Sequence, residues 1–187
     1  MSIVIAISGN RCVGKDTAFH HLELLNQNCV RFAFADALKE DLQLLVMKQF
    51  NINIFQCKSA AEKEFVRPLL ITYGCMWREK DENHWVKKVI QQIQKNNTCI
   101  PVIVDVRFEN ELKLLQETFG DNLVHVNVTN NKAPSPTSEE EKHYRQVAIQ
   151  AQYEINWGDN TFEEQFNIVE SIYNNVQKDY ENYYYND

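Results

Sequence analysis

The sequence predicts an α/β domain with a parallel five-stranded sheet and helices on both faces. Three observations predict it. Continuous β-branched runs, Ile3 to Ile7 and Ile100 to Val104, have the composition of strands buried on both faces. Helical periodicity alternates with the strand-like runs along the chain. The first strand also leads into a glycine loop and then a helix, the order that a phosphate-binding loop requires.

Ile3 to Ile7 is followed by GNRCVGKDT, Gly9 to Thr17, and then by helix-like spacing of Phe19, Leu22 and Leu25. Val30 to Phe34 reads as the second strand, and Asp36 as the cap of a helix reaching about Phe50. Ser59 and Glu62 form a capping box for a third helical stretch, where Pro68 predicts a kink or a break into two shorter helices. Trp85, Val86, Val89, Ile90 and Ile93 make a helical stripe over 82–95. The strand Ile100 to Val104 ends at Asp105. A helix over 108–119 closes at Gly120 before the strand Leu123 to Val128. Asn130 to Ser138, with Pro134 and Pro136, is loop-like and leads into a short helix to about Ala148. Tyr153 to Trp157 reads as the fifth strand, and Thr161 with Glu164 as the capping box of the last helix. No repeat or composition break divides residues 1–187, so one domain is expected, with an unassigned tail at 179–187.

The 187 residues, 44% hydrophobic, are enough for a substantial core. A net charge of −7 argues against coating a nucleic acid or lying on a membrane surface, both of which call for a basic footprint. Five dispersed cysteines without a C-x-x-C pair read as reduced, mostly packed thiols. No run approaches a membrane span. A cytoplasmic protein is therefore expected.

In the loop, Gly9, Asn10, Arg11, Val13, Gly14 and Lys15 match G-x-x-x-x-G-K, in which backbone N–H groups and a lysine surround a phosphate. Asp16 stands where a Ser or Thr is usual. Its hard oxygen suits magnesium, and the alternative is an acid favoured by the helix dipole. Thr17 follows. Asp105, at a strand's C-terminal end, is placed to hold Mg²⁺ or its water shell. Arg107 is placed to grip a phosphate with its planar fork, against the plainer reading of an ion pair with Glu111. Arg11, Arg67, Arg78 and Arg107 suggest guanidinium groups around one cleft. Trp85 divides evenly between stacking on a base and packing the core, and Lys39 between substrate phosphate and solvent. The five histidines have no metal-ligand spacing and read as surface or filler residues. Residues 129–148, with Lys142, His143 and Arg145, either close as a lid or form a solvated helix face.

Together GNRCVGKDT, FADALKEDL, RPLLITYGCMWRE, DVRFENE and Asn156 before a terminal helix resemble the deoxynucleoside monophosphate kinases of phages and large DNA viruses, within the P-loop nucleoside monophosphate kinases. The resemblance covers about Ile3 to Val176 and implies the three-layer P-loop kinase sandwich, often dimeric, and residence in the host cytoplasm if viral. It implies ATP and Mg²⁺ as cofactors, handled by Lys15, Asp16 and Thr17, with Asp105 beside the metal. It implies that Asp105, Arg107 and Glu111 handle the acceptor phosphate and the metal shell, and that Arg67 and Trp85 line the acceptor pocket. Val128-Thr129-Asn130 lacks the arginine and glycine of the pattern, and TSEEEKHYRQ matches the lid block only loosely. Phosphomevalonate kinase shares the GKD loop and the acid-x-Arg strand end, and is the nearest rival. A non-catalytic nucleotide-binding protein is a third reading. A GTPase or motor ATPase would need N-K-x-D or an Asp-Glu pair after a strand, and neither Asn131-Lys132-Ala133-Pro134 nor Asp105-Val106 supplies it.

Overall fold

The computed structural model describes residues 3–96, 98–135 and 138–185. Five parallel strands, β1 (Val4–Ser8), β2 (Cys29–Phe32), β3 (Ile100–Val106), β4 (Leu123–Thr129) and β5 (Tyr153–Asn156), lie in the order β2-β3-β1-β4-β5. The first strand is therefore central, flanked by β3 and β4, and its register with β4 runs from Val4 opposite Leu123 to Ser8 opposite Asn127.

Alternation along the strands sends side chains into two cores. Val4 and Ala6 of β1 and Ile103 of β3 face one side, while Ile5, Ile7, Val102 and Val104 face the other. The helices α1 (Lys15–Leu25) and α7 (Phe162–Tyr185) pack together and cover the second face. The first is covered by α2 (Phe34–Phe50), α3 (Ala60–Lys80), α4 (His84–Lys95), α5 (Glu109–Phe119) and α6 (Ser138–Ala148). Burial on both sides explains why β1 and β3 read as unbroken apolar runs.

The Thr161–Glu164 capping box forms in both directions, while at Ser59 only the N-cap half forms and the Glu62 carboxylate accepts instead from Lys58 N–H at 2.6 Å. Ser59 Oγ accepts from Glu62 N–H at 3.1 Å, and Thr161 Oγ1 accepts from Glu164 N–H at 3.3 Å while Glu164 returns the bond to Thr161 N–H at 2.7 Å. Three further local expectations change. Pro68 lies inside the single continuous helix α3, because it deletes one ladder donor in a 21-residue helix whose neighbouring turns hold. Residues 32–34 divide differently too: β2 ends at Phe32, and α2 begins at Phe34 rather than at an Asp36 cap. His21 and His125, expected as surface or filler, are buried; His21 sits against Trp157 and Phe162.

Candidate active site

The C-terminal ends of β1, β3 and β4 meet around Gly9 to Thr17. Gly9 has φ 147°, and a Cβ on it would lie 2.4 Å from the Val128 carbonyl oxygen. Gly14 has φ 92°, and a Cβ there would lie 2.6 Å from Trp157 Nε1. Both conformations and both close approaches exclude a side chain, so the glycines are dictated by the loop's path. The Trp157 indole donates to the Gly14 carbonyl at 3.2 Å, pinning the loop to the end of β5.

Lys15 opens α1 and folds back over the loop, its ammonium donating to Gly9 O at 2.8 Å and Asn10 O at 2.7 Å. Burial, and then the nearby Arg107 guanidinium, pull it down to about 8. A partly desolvated cation at a helix N-terminus is suited to an anionic phosphate.

Asp105 is engaged in a way the sequence did not foretell. Its two oxygens accept from the N–H of Phe34 at 2.8 Å and of Ala35 at 2.9 Å, so this carboxylate caps α2 from β3. Burial pushes it above the usual carboxylate range, and the two N–H bonds and Arg107 oppose that shift. Asp16 is 80% exposed in its side chain and accepts from Arg31 Nε at 3.2 Å. Arg31 also grips Asp36, whose other oxygen takes Lys39 at 2.7 Å. Lys39 is thus bound within a charged chain, Asp16-Arg31-Asp36-Lys39, and lies 5.4 Å from the Phe55 ring centroid. Arg31 went unread in the sequence because strand periodicity marks it only as an outward residue.

Three expected substrate contacts are placed elsewhere. Trp85 is 1% exposed, its indole donates to Gly74 O at 3.3 Å, and it packs against Tyr73; a ring so enclosed belongs to the core and presents no face to a base. Glu111 is also buried, and one carboxylate oxygen accepts from Arg107 N–H at 2.8 Å and Phe108 N–H at 3.1 Å. It caps α5 and shapes the turn that presents Arg107, rather than meeting phosphate itself. Arg67 is exposed on α3, with Glu64 as an ion-pair partner at 4.0 Å. Arg78, by contrast, stands 5.4 Å from the Phe108 ring centroid beside the cleft turn.

A cleft of about 440 Å³ opens beside the loop. Ser8, Gly9, Asn10 and Arg11 form one wall, Val106, Arg107 and Phe108 a second, and Ile71, His143, Tyr144 and Val147 the rest. Arg11 and Arg107, the loop arginine and the strand-end arginine, therefore share one cavity. Of the expected lid, α6 is partly anchored through Val147, which is fully buried; residues 136 and 137, and the side chains of 138–142, Lys142 included, lie outside the described residues. Among the described residues no three acids, histidines or cysteines converge as a metal cage. The donors present fit a hydrated magnesium held mainly by nucleotide phosphates, with Asp16 offering an exposed oxygen one residue from Lys15.

A parallel sheet in this order, with a phosphate loop and a lysine at the end of its central strand, is the P-loop kinase fold. The model of the phosphomevalonate kinase family matches residues 7–121, and the chain belongs to that family. The structure resembles dephospho-CoA kinase from Campylobacter jejuni, with a TM-score of 0.53 and 11% identity over 94% of this chain and 97% of that one. Thymidylate kinase from Candida albicans aligns with a TM-score of 0.49 and 13% identity over 95% of this chain and 92% of that one. No curated protein matches the sequence.

Proposed function

We propose that the chain is an Mg-ATP-dependent kinase that moves the γ-phosphoryl group of ATP to the phosphate of a deoxynucleoside monophosphate, giving ADP and the diphosphate. The observation that carries this reading is the cleft itself. It joins Arg11 and Arg107 to ring-bearing and apolar walls from Phe108, Tyr144, Ile71 and Val147, a combination suited to a phosphate attached to a base. An acceptor phosphate oxygen attacks the γ-phosphorus as the bond to the β-phosphate oxygen breaks, and that oxygen leaves with ADP. The nucleophile is already anionic, so no general base is needed. Lys15 and the loop N–H groups stabilise charge on the moving group, and Arg107 orients the acceptor. Magnesium, when bound, neutralises phosphate oxygens, with Asp16 holding its water shell.

The family match over residues 7–121 favours phosphomevalonate as a second acceptor reading. ADP release measured with each deoxynucleoside monophosphate and with phosphomevalonate separates the two. Turnover of phosphomevalonate alone overturns the nucleotide reading, and no turnover of either favours a non-catalytic nucleotide-binding protein. A homodimer accompanies this reading. Leu44, Phe50, Phe65 and Leu69 on α2 and α3 are exposed, and the Phe50 and Phe65 rings meet at 4.9 Å. Sedimentation giving a monomer mass at micromolar concentration would remove it.

A further inference from the structure

Beneath the cleft runs a buried chain of polar side chains that phosphate chemistry alone does not require. Ser8 Oγ donates to Asn127 Oδ1 at 3.2 Å, and His125 Nε2 lies 2.8 Å from the same Ser8 oxygen. Asn127 Nδ2 in turn donates to the Tyr144 hydroxyl at 3.2 Å. Ser8, Asn127 and His125 are each no more than 2% exposed.

With the Asn127 carbonyl turned to Ser8 and its amide to Tyr144, the chain runs in one direction. Ser8 has one proton, and it goes to Asn127, so His125 must donate from Nε2 to the Ser8 oxygen. Burial keeps the His125 ring neutral, which leaves it one N–H to give. Asn127 spends its carbonyl on Ser8 and presents its amide to Tyr144. Every bond therefore points toward the phenol, which accepts the last one and keeps its own proton. Among the described residues that proton has no acceptor, and the ring lines the cleft. A hydroxyl polarised by such a chain is a stronger donor than an isolated one.

Tyr144 also borders a second, smaller groove formed by the loop after β4. His143 and Val147, its neighbours on α6, line only the cleft with Arg107. Tyr144 thus lines both grooves, while its helix neighbours line the one with Arg107, which the kinase reading gives to the acceptor.

From this we infer that Tyr144 is a substrate-contact residue whose hydroxyl donates a hydrogen bond to an oxygen of the acceptor, not of ATP. The inference rests on the phosphotransferase reading above and adds the residue that recognises the acceptor. Tyr144→Phe removes one oxygen and keeps the ring.

The test is steady-state kinetics of wild type and Tyr144→Phe on the acceptor that the wild type turns over, with a thermal melt of each. The expected result is an acceptor KM raised about tenfold, the scale of one lost hydrogen bond. The KM for ATP and kcat stay within about twofold, and the melting temperature within a few degrees. An ATP KM that rises instead, an unchanged acceptor KM, or a uniform loss that follows the melting temperature overturns the inference while leaving the kinase reading intact. Absence of wild-type turnover with any phosphorylated acceptor overturns both.

Discussion

The carboxylate of Asp105 holds the backbone N–H of Phe34 at 2.8 Å across 71 residues of sequence, fastening the start of α2 to the end of β3. A second bond, to Ala35 N–H, uses its other oxygen. Asp105→Ala leaves both donors of the first turn without this acceptor and is expected to lower unfolding free energy by about 1–3 kcal/mol. Asp105→Asn keeps one oxygen and should lose less. Urea midpoints check this, and two unchanged midpoints would return Asp105 to a purely metal-holding role.

Gly14 and Trp157 give the phosphate loop its shape. Gly14→Ala forces a Cβ to 2.6 Å from the Trp157 indole nitrogen at φ 92°, whereas Gly120 has φ 53° and nothing within 4 Å of an added Cβ. Backbone strain alone, about 1–3 kcal/mol at φ 53° and ψ −131°, is expected for Gly120→Ala. Gly14→Ala adds the overlap and should also weaken binding of a non-hydrolysable ATP analogue more than tenfold. Calorimetric titration of both variants checks the difference, and equal affinities would refute the role given to the Gly14 contact.

The sheet and the loop were legible because their signals are local. Doubly buried strands leave unbroken apolar runs, and a loop that folds around a phosphate needs glycine at fixed spacing. What stayed hidden depends on partners far away in sequence. Asp105 looks like any strand-end acid until α2 docks on it, and Glu111 looks like an ion-pair partner until the Arg107 turn closes over it. Trp85 had the same periodicity whether its ring faced a ligand or Gly74, and only packing decided for the core. Arg31 lay outside every motif and Tyr144 inside the loosely matched TSEEEKHYRQ block, and neither role showed because their partners Asp16, Asp36 and Asn127 come from other elements.

Lys15 predicts a pH limb. Desolvation, followed by Arg107, places its ammonium at about 8 in the free protein, so kcat/KM for ATP should fall as pH rises through that value and the cation is lost. Bound phosphates favour the charged form, so the corresponding limb in kcat should lie at higher pH. Profiles of both parameters between pH 6 and 10, arbitrary bounds of about two units either side of the expected limb, check this. A kcat/KM profile that stays flat throughout would show that Lys15 is not titrating in the free site.

Glu111 makes the opposite kind of prediction, in stability. Burial raises its carboxyl from 4.5 to about 7, although the N–H groups of Arg107 and Phe108 pull it back. Because the folded form binds its proton more tightly than the unfolded chain, the stabilisation from protonated Glu111 is complete below pH 4.5 and is lost as pH rises through about 7. Glu111→Gln keeps an oxygen for both N–H donors and removes the titration. Its unfolding free energy should therefore stay level between pH 5 and 7.5 where the wild type, corrected for its other carboxylates by the difference between the two curves, declines. Glu111→Ala should lie about 1–2 kcal/mol below Glu111→Gln at every pH, since neither variant titrates there and only the alanine loses the α5 cap. Parallel wild-type and Glu111→Gln curves would mean that Glu111 is ionised throughout this range, stabilised by the Arg107 turn more strongly than its burial opposes.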